Sequence, residues 1–449
     1  MKKFCLMLTL IAAVILTGCR KDNGADVKEL FLHIPNTASY VVVQDLHSIL
    51  EKSGSKIDGG KVEASPELLQ LISQSRDERT KQLMRSILDG DSGVAPTVAV
   101  IFADGFSQFV VGDLYSTSKF ESVVVKFIGG EWEEKDGIRY NANYAITDDR
   151  YWIGKEGSRI DIDKIKTYMA LSEKQSFADS EFAPMLEDTD ADFAGWCDIN
   201  GVMNVTGIGF ERRAMAKMGI EALFKDAGFA TFDVRLEKGA MKMSARLLDG
   251  KGRDAKFLYP SKKIDESVLA KIGGKADVVG AVAVPQKLVQ QIKNQVSGKL
   301  SMIGFVVNAM GCVDGTVAVA ASPENNGYKG LIQTNGGNTA DLMGLLKEMD
   351  MNSSKEGSDV LFSKGELSGK EDVSKLGENI KGSIFGVSIN PSTIDPNYSA
   401  FSNIAVKLVP HSGSVRFEVN VAGHNPGENI MVTLLKVAAG NGKVAAPAN

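Results

Sequence analysis

The chain is poor in the residues on which most enzyme chemistry is built. It has four histidines, three tryptophans and four cysteines in 449 residues. His33, His47, His411 and His424 have no metal-ligand spacing between them, so they predict no metal centre. Gly-x-Ser-x-Gly, phosphate-binding glycine loops and Gly-x-Gly-x-x-Gly are all missing, which leaves nucleophile elbows, P-loops and dinucleotide folds without a signature. Ser-x-x-Lys occurs at Ser53 to Lys56 and at Ser116 to Lys119, as chance allows in a chain rich in serine and lysine. No catalytic residue, metal or cofactor is assigned on this basis. Long apolar runs are scarce too. Past the first few residues the longest, Val278 to Val284 and Met302 to Val307, suit buried strands and not membrane helices. There is no excess of positive charge: 51 Lys and Arg face 56 Asp and Glu, a net −5. A mildly acidic surface is a poor partner for nucleic acid and disfavours anionic lipid headgroups. A hydrophobic content of 43% with 24% charged residues is that of a folded protein. The length suggests two to three domains.

What the chain does have begins at its N-terminus. Lys2 and Lys3 precede an apolar run from Phe4 to Leu16, too short for a bilayer span and suited to an export signal. Leu16-Thr17-Gly18-Cys19 closes the run and resembles a bacterial lipobox, in which the cysteine thiol is diacylated and the chain is cut before it. The resemblance implies a signal peptide over residues 1–18 and lipidation of Cys19, with diacylglycerol and a further fatty acyl chain as the anchor. Two or more chains suffice for stable attachment. Loss of Lys2 and Lys3 would take the net charge from −5 to about −7. Residues 19–29 read as the lipidated cysteine and a polar tether. Arg20 stands where Asp would resemble an inner-membrane retention signal. Arg20-Lys21-Asp22 partly resembles the surface-export signal of some lipoproteins, with Asn23 in place of a second acid. The expectation is an outer-membrane lipoprotein, on the periplasmic side or the cell surface, with the membrane as partner through its anchor. After export, Cys197 and Cys312 could form one disulfide, which the envelope permits, or stay as two buried thiols.

The remainder predicts an α+β fold of repeated strand-helix-hairpin-helix units, mainly antiparallel sheets covered by helices, in two similar halves. Four β-rich runs open the units: Ser39 to Leu46, Asp192 to Ile199, Asp277 to Val284 and Ser383 to Asn390. Each is followed by a hairpin with a glycine turn, at Asp104-Gly105, Lys238-Gly239, Asn326-Gly327 and Ser412-Gly413. Helical patterns come next, at Ser118 to Phe127, Asp265 to Ile272, Thr339 to Met349 and Glu428 to Ala439. The halves run over 30–257, with two units and an inserted meander, and 263–440, with the other two. Between Ser65 and Gly90 an amphipathic helix is expected, with Ser65 as cap and Pro66 at its first position. Its polar middle, Ser73 to Lys81, is an exposed segment or a break.

The meander, Glu131 to Ile153, reads as three strands turning at Asp136-Gly137 and Asp148-Asp149. Ile138, Tyr140, Ala142, Tyr144 and Ile146 are expected on one face of it. Trp132, Tyr140, Tyr144 and Trp152 form the candidate ligand platform, since aromatic faces stack on sugar rings; burial as core is the competing reading. Asp188 to Asp192 alternates like a calcium loop but lacks its glycine and closing glutamate. Arg212, Arg213 and Lys217 form a small basic cluster, read as a solvated helix face.

The lipobox, the tether and Ile34 to Leu46 leading into Leu50-Glu51-Lys52-Ser53-Gly54 resemble an uncharacterised lipoprotein family of Gram-negative gut anaerobes, a domain of unknown function. The resemblance covers nearly the whole mature chain and brings no catalytic residues. The sequence as a whole is read as an exported, lipid-anchored envelope protein, a non-catalytic binding or structural module whose partner would be a glycan or an envelope protein. The alternatives are a hydrolase of envelope or dietary polymers, requiring two facing carboxylates, and a carrier of lipid or amphiphile, requiring an apolar groove.

Overall fold

The computed structural model describes residues 23–440, apart from 59–60, 76–77, 155–158, 188–189, 206–219, 222, 260–261, 291–308 and 394–395. The export signal, Cys19, Asp188, the cluster of Arg212, Arg213 and Lys217, and the apolar run Met302 to Val307 lie outside the described residues. The fold is mixed α+β and separates into two compact units. One comprises Met1–Glu221, Asp226–Arg253 and Asn425–Gly442; the other comprises Ala222–Lys225, Asp254–His424 and Lys443–Asn449.

The first unit is built on β1 (Tyr40–Asp45), β2 (Val94–Asp104), β3 (Ser107–Leu114), β4 (Glu133–Lys135), β5 (Ile138–Asn141), β6 (Tyr144–Thr147), β7 (Arg150–Gly154), β8 (Phe193–Asp198), β9 (Phe229–Leu236) and β10 (Ala240–Leu248). Their order is β10-β9-β8-β1-β2-β3-β7-β6-β5-β4, antiparallel throughout. Central β1 is paired on both edges, with Val41 opposite Trp196 on β8 and opposite Phe102 on β2. Its alternate residues Val41 and Val43 face a core with Val100, Phe102, Val111, Trp152 and Trp196. Helices α1 (Asn23–Phe31), α6 (Ile162–Met169) and α7 (Pro184–Glu187) contribute to that core. Of the other helices, α2 (Leu46–Lys52), α3 (Pro66–Ser73), α4 (Glu78–Leu88), α5 (Thr117–Phe127) and α8 (Ile199–Val205), α3 and α4 resolve the polar stretch after Ser73 as a break.

Two expectations need correcting here, and one hairpin is added to them. The polar tether does not extend to Glu29, because Val27, Leu30, Phe31 and Ile34 recur at helical spacing and are buried, making Asn23–Phe31 the helix α1. The meander has four strands, not three. Ala142, at a positive φ of 51°, turns the chain between Asn141 and Tyr144, which stand opposite each other. A two-residue loop reverses the parity of the alternation, so Tyr140 and Tyr144 fall on opposite faces of the sheet. The hairpin at Gly357 went unforeseen, because its first strand, Asn352–Glu356, carries no apolar residue.

The second unit contains β11 (Val278–Val284), β12 (Val313–Ser322), β13 (Gly327–Thr334), β14 (Asn352–Glu356), β15 (Asp359–Lys364), β16 (Phe385–Ile389), β17 (Phe401–His411) and β18 (Ser414–Gly423). They lie antiparallel in the order β18-β17-β16-β11-β12-β13-β15-β14. Helices α9 (Glu266–Ile272) and α11 (Val373–Glu378) bury Val268, Leu269, Ile272, Val373 and Leu376 against Val279, Ala281, Ala318 and Leu331. Helix α10 (Ala340–Glu348) covers Val313, Ile332 and Val360 with Leu342 and Leu346, while Met349 stays exposed beyond its end. After β16 the expected helix is replaced by short 3-10 turns at Pro391–Thr393 and Pro396–Tyr398, since proline cannot donate in a helix interior. The last helix, α12 (Ile430–Ala438), comes after the second unit's strands in sequence but belongs to the first compact unit.

In both units an aromatic ring lies over a glycine on the neighbouring strand. Tyr151 stands opposite Gly112, and a Cβ on Gly112 would sit 2.6 Å from the Tyr151 hydroxyl. Phe362 stands opposite Gly330, where a Cβ would sit 2.2 Å from the ring. Gly112→Ala and Gly330→Ala are each expected to lower stability by about 1–3 kcal/mol through overpacking. Gly344, in α10 with nothing within 4 Å of its Cβ position, is the contrast: Gly344→Ala should add up to about 1 kcal/mol. Denaturant unfolding of the three variants checks both signs.

Candidate functional site

The four aromatics of the candidate platform do not share a surface. Tyr140 stands opposite Ala145, and Ala145 opposite Trp152, so Tyr140 and Trp152 share one face. Tyr144 stands opposite Ile153, on the other face. Trp152 is fully buried, edge-on to Phe102 and Phe109 and stacked on Tyr168 at 6.3 Å, and its Nε1 donates to Thr147 Oγ1 at 2.8 Å. Tyr140 is half-buried; its hydroxyl donates to Glu133 at 2.8 Å and the Arg159 guanidinium lies 5.3 Å from its ring. Across the sheet, Trp132 and Tyr144 pack on Phe120 of α5 at 6.3 and 6.2 Å, and Trp132 Nε1 donates to the Glu121 carbonyl. These rings are core and rim of two separate clusters, which corrects the expectation of one stacking platform. The turn at Ala142 is the physical reason.

The polar grouping that the fold does assemble is centred on Asp192, just before β8. Its side chain has no exposed surface. Oδ1 accepts from Ser48 Oγ at 2.7 Å and from Lys52 Nζ at 2.6 Å; Oδ2 accepts from the Leu236 backbone N–H at 2.5 Å. One carboxylate thereby ties α2 to β9. Asp45 sits beside it, at the end of β1, and caps α2 by accepting from Ser48 N–H at 2.9 Å. Burial, and to a smaller degree the charge of Asp192, push the Asp45 carboxyl up, while the Ser48 N–H opposes the shift. Two neighbouring carboxylates are what a hydrolase would need, yet Asp192 has no exposed surface to offer a substrate. The calcium-loop reading also loses Asp192, whose oxygens are engaged. Sequence patterning could have found this node only through Asp192 as a charged residue entering an apolar strand.

His33 accepts from Arg150 Nη1, and Arg150 also meets Glu29 and Asp113. Burial, then the Arg150 charge, hold the His33 ring below its usual value of 6.5. His47 meets Glu51 at 3.2 Å, His411 lies between Arg416 and Asp254, and the backbone N–H of His424 donates to Ala400. Among the described residues no group of three or more His, Cys, Asp or Glu is arranged to hold a metal ion. Ser53 donates to the Leu50 carbonyl and Ser116 caps α5, so both Ser-x-x-Lys serines serve local structure. Cys197 and Cys312 are free thiols, each pushed up by burial.

No protein-family model matches the chain, and no curated protein matches it. Among solved structures it is similar to crystal form I of TP0453, at a TM-score of 0.28 and 7% identity, over 78% of this chain and 95% of that one. Crystal form III of TP0453 gives 0.29 and 8%, over 78% and 96%.

Asp192→Ala should cost about 3–5 kcal/mol, because it strands Lys52 and the Leu236 N–H beside an apolar strand; unfolding midpoints read this directly. For His33 the folded value lies below 6.5, so its contribution is full above the unfolded value and is lost as pH falls through the folded one. His33→Gln removes that titration. The wild-type stability profile should therefore fall more steeply below pH 6.5 than that of the variant.

Proposed function

We propose that this chain is an exported, lipid-anchored protein of the outer membrane that acts without catalysis, as a binding or structural module of the envelope. The run from Lys2 to Cys19 carries the reading: a basic start, an apolar segment too short to span, and a lipobox-like end. No helix among the described residues is long and apolar enough to cross a membrane, so the acyl chains on Cys19 are the proposed attachment. Engagement of Asp45 and Asp192 in holding α2 favours a binding role over hydrolysis, with a glycan or an envelope protein as the partner class.

The repeat is part of the proposal. Each half is inferred to derive from the same pair of strand-hairpin units. In support, both strand orders run hairpin, strand, strand, hairpin, with four further strands beyond the second hairpin in the first unit and two in the second. Strands β1 and β8 end in Asp and β16 is followed directly by Asn, and Asp45, Asp198 and Asn390 each accept a backbone N–H two or three residues on. The Gly112–Tyr151 and Gly330–Phe362 pairs occupy the same place in the two orders.

Cys19→Ser tests the anchor. Wild type should incorporate labelled palmitate and stay in the membrane pellet through a high-salt wash, and the variant should do neither. A variant that still pellets after the wash would sink the lipid-anchor assignment.

A further inference from the structure

The second unit carries a small two-stranded ribbon. Phe224–Lys225 pairs antiparallel with Lys256–Phe257. Phe224 and Phe257 stand opposite each other with ring centroids 5.4 Å apart, and Tyr259 meets Phe257 edge-on at 5.9 Å. Neighbouring positions on a strand point to opposite faces, so Lys225 and Lys256, also directly opposed, occupy the other face. The ladder continues through Leu258 N–H to the Leu223 carbonyl at 2.9 Å. Both leucines remain largely exposed, at 42% and 44%.

Each of these features costs free energy in water. Like charges directly across a ladder repel, and two leucines beside them leave apolar area hydrated. Neither lysine has an ion-pair partner among the described residues, although Asp226 comes directly after Lys225 in sequence. The ribbon is nevertheless held in place: Phe257 N–H donates to the Gly413 carbonyl at 3.3 Å, Ser414 Oγ donates to the Ala255 carbonyl at 2.5 Å, and Asp254 meets His411 at 3.5 Å. A pinned element with two lysines unpaired among the described residues and two exposed leucines is complementary to a surface that is anionic outside and apolar beneath.

We propose that the ribbon of Leu223, Lys225, Lys256 and Leu258 docks on an anionic phospholipid surface, with the lysines at the headgroups and the leucines entering the acyl boundary. Charge complementarity commits the site to lipid and not to a neutral partner. The lipid-anchor reading supplies the bilayer, but the docking chemistry is separate from it.

The test uses the chain from Arg20 to Asn449, which keeps every described residue and lacks the acylation site, so the anchor's failure cannot mimic the ribbon's. Cosedimentation is measured with vesicles of phosphatidylcholine alone and of phosphatidylcholine with phosphatidylglycerol. Binding is expected only with phosphatidylglycerol present. Lys225→Gln with Lys256→Gln should weaken it about thirtyfold, the usual combined effect of two lysines at an anionic leaflet. Leu223→Ser with Leu258→Ser should weaken it by at least about tenfold. Lys225→Arg with Lys256→Arg should retain binding and shows that charge, not folding, is read. Phe106→Ser, which removes the most exposed aromatic at 89% from the first unit, should leave binding unchanged. Equal binding to both vesicles, an unaffected glutamine variant, a defective arginine variant or an equal loss in Phe106→Ser would each overturn the proposal.

Discussion

Strand β1 directs its backbone hydrogen bonds to β8 on one edge and β2 on the other, so it has no free edge and must sit inside its sheet. The same holds for β11, between β16 and β12. A strand paired on both edges in a folded core has only its two faces left to satisfy, and Val41, Val43, Val279 and Ala281 leave no polar group on one of them. That demand calls for a helical layer over β1, which α1, α6 and α7 provide, and over β11, which α9 and α11 provide. Burial of a valine or leucine side chain stabilises by about 1.5–3 kcal/mol. Each cluster therefore outweighs any single polar contact in its unit.

Polar chemistry is pushed to the strand ends, where the backbone changes direction and has groups to satisfy. Asp45 and Asp198 cap the helical turns at the ends of their strands, and Asp277 accepts from the Lys370 N–H while its backbone carbonyl accepts from Asn390. Asp192 is the extreme case, a carboxylate with no exposed surface and three donors. Surface pairs such as Lys135–Asp163 and Lys166–Asp136 are well formed but exposed, and solvent screens them so that they contribute little. The architecture depends on the buried carboxylate far more than on the visible ion pairs.

Much of this was legible in the chain because the signals were local. Glycine turns, N-caps and short valine-rich runs each act over a few residues, and the hairpins at Gly105, Gly239 and Gly413 and helices α5, α9, α10 and α12 lie where those signals put them. What escaped was the feature that broke a local rule. Ala142 adopts a left-handed conformation that its side chain disfavours, so nothing in Ile138 to Ile146 announces the turn. The apparent alternation is two short strands read as one. The error propagated to the site, because a face assignment is only as good as the register beneath it. Helix α1 escaped for a related reason: its apolar spacing begins at Val27, within a stretch dominated by polar residues.

The aromatic set and the ribbon illustrate where binding can reside in such a fold. Trp152 is large and aromatic but fully buried in the core, and a sheet face already covered by helices cannot also be a platform. Leu223 and Leu258 are less conspicuous in sequence, lying outside any strong periodicity, yet the fold holds them at a pinned edge with lysines beside them. Composition singles out rare residues, and rarity in a folded chain more often marks a core position than a surface one. Exposure combined with unbalanced charge is the better guide, and both become visible only once the strands are in register.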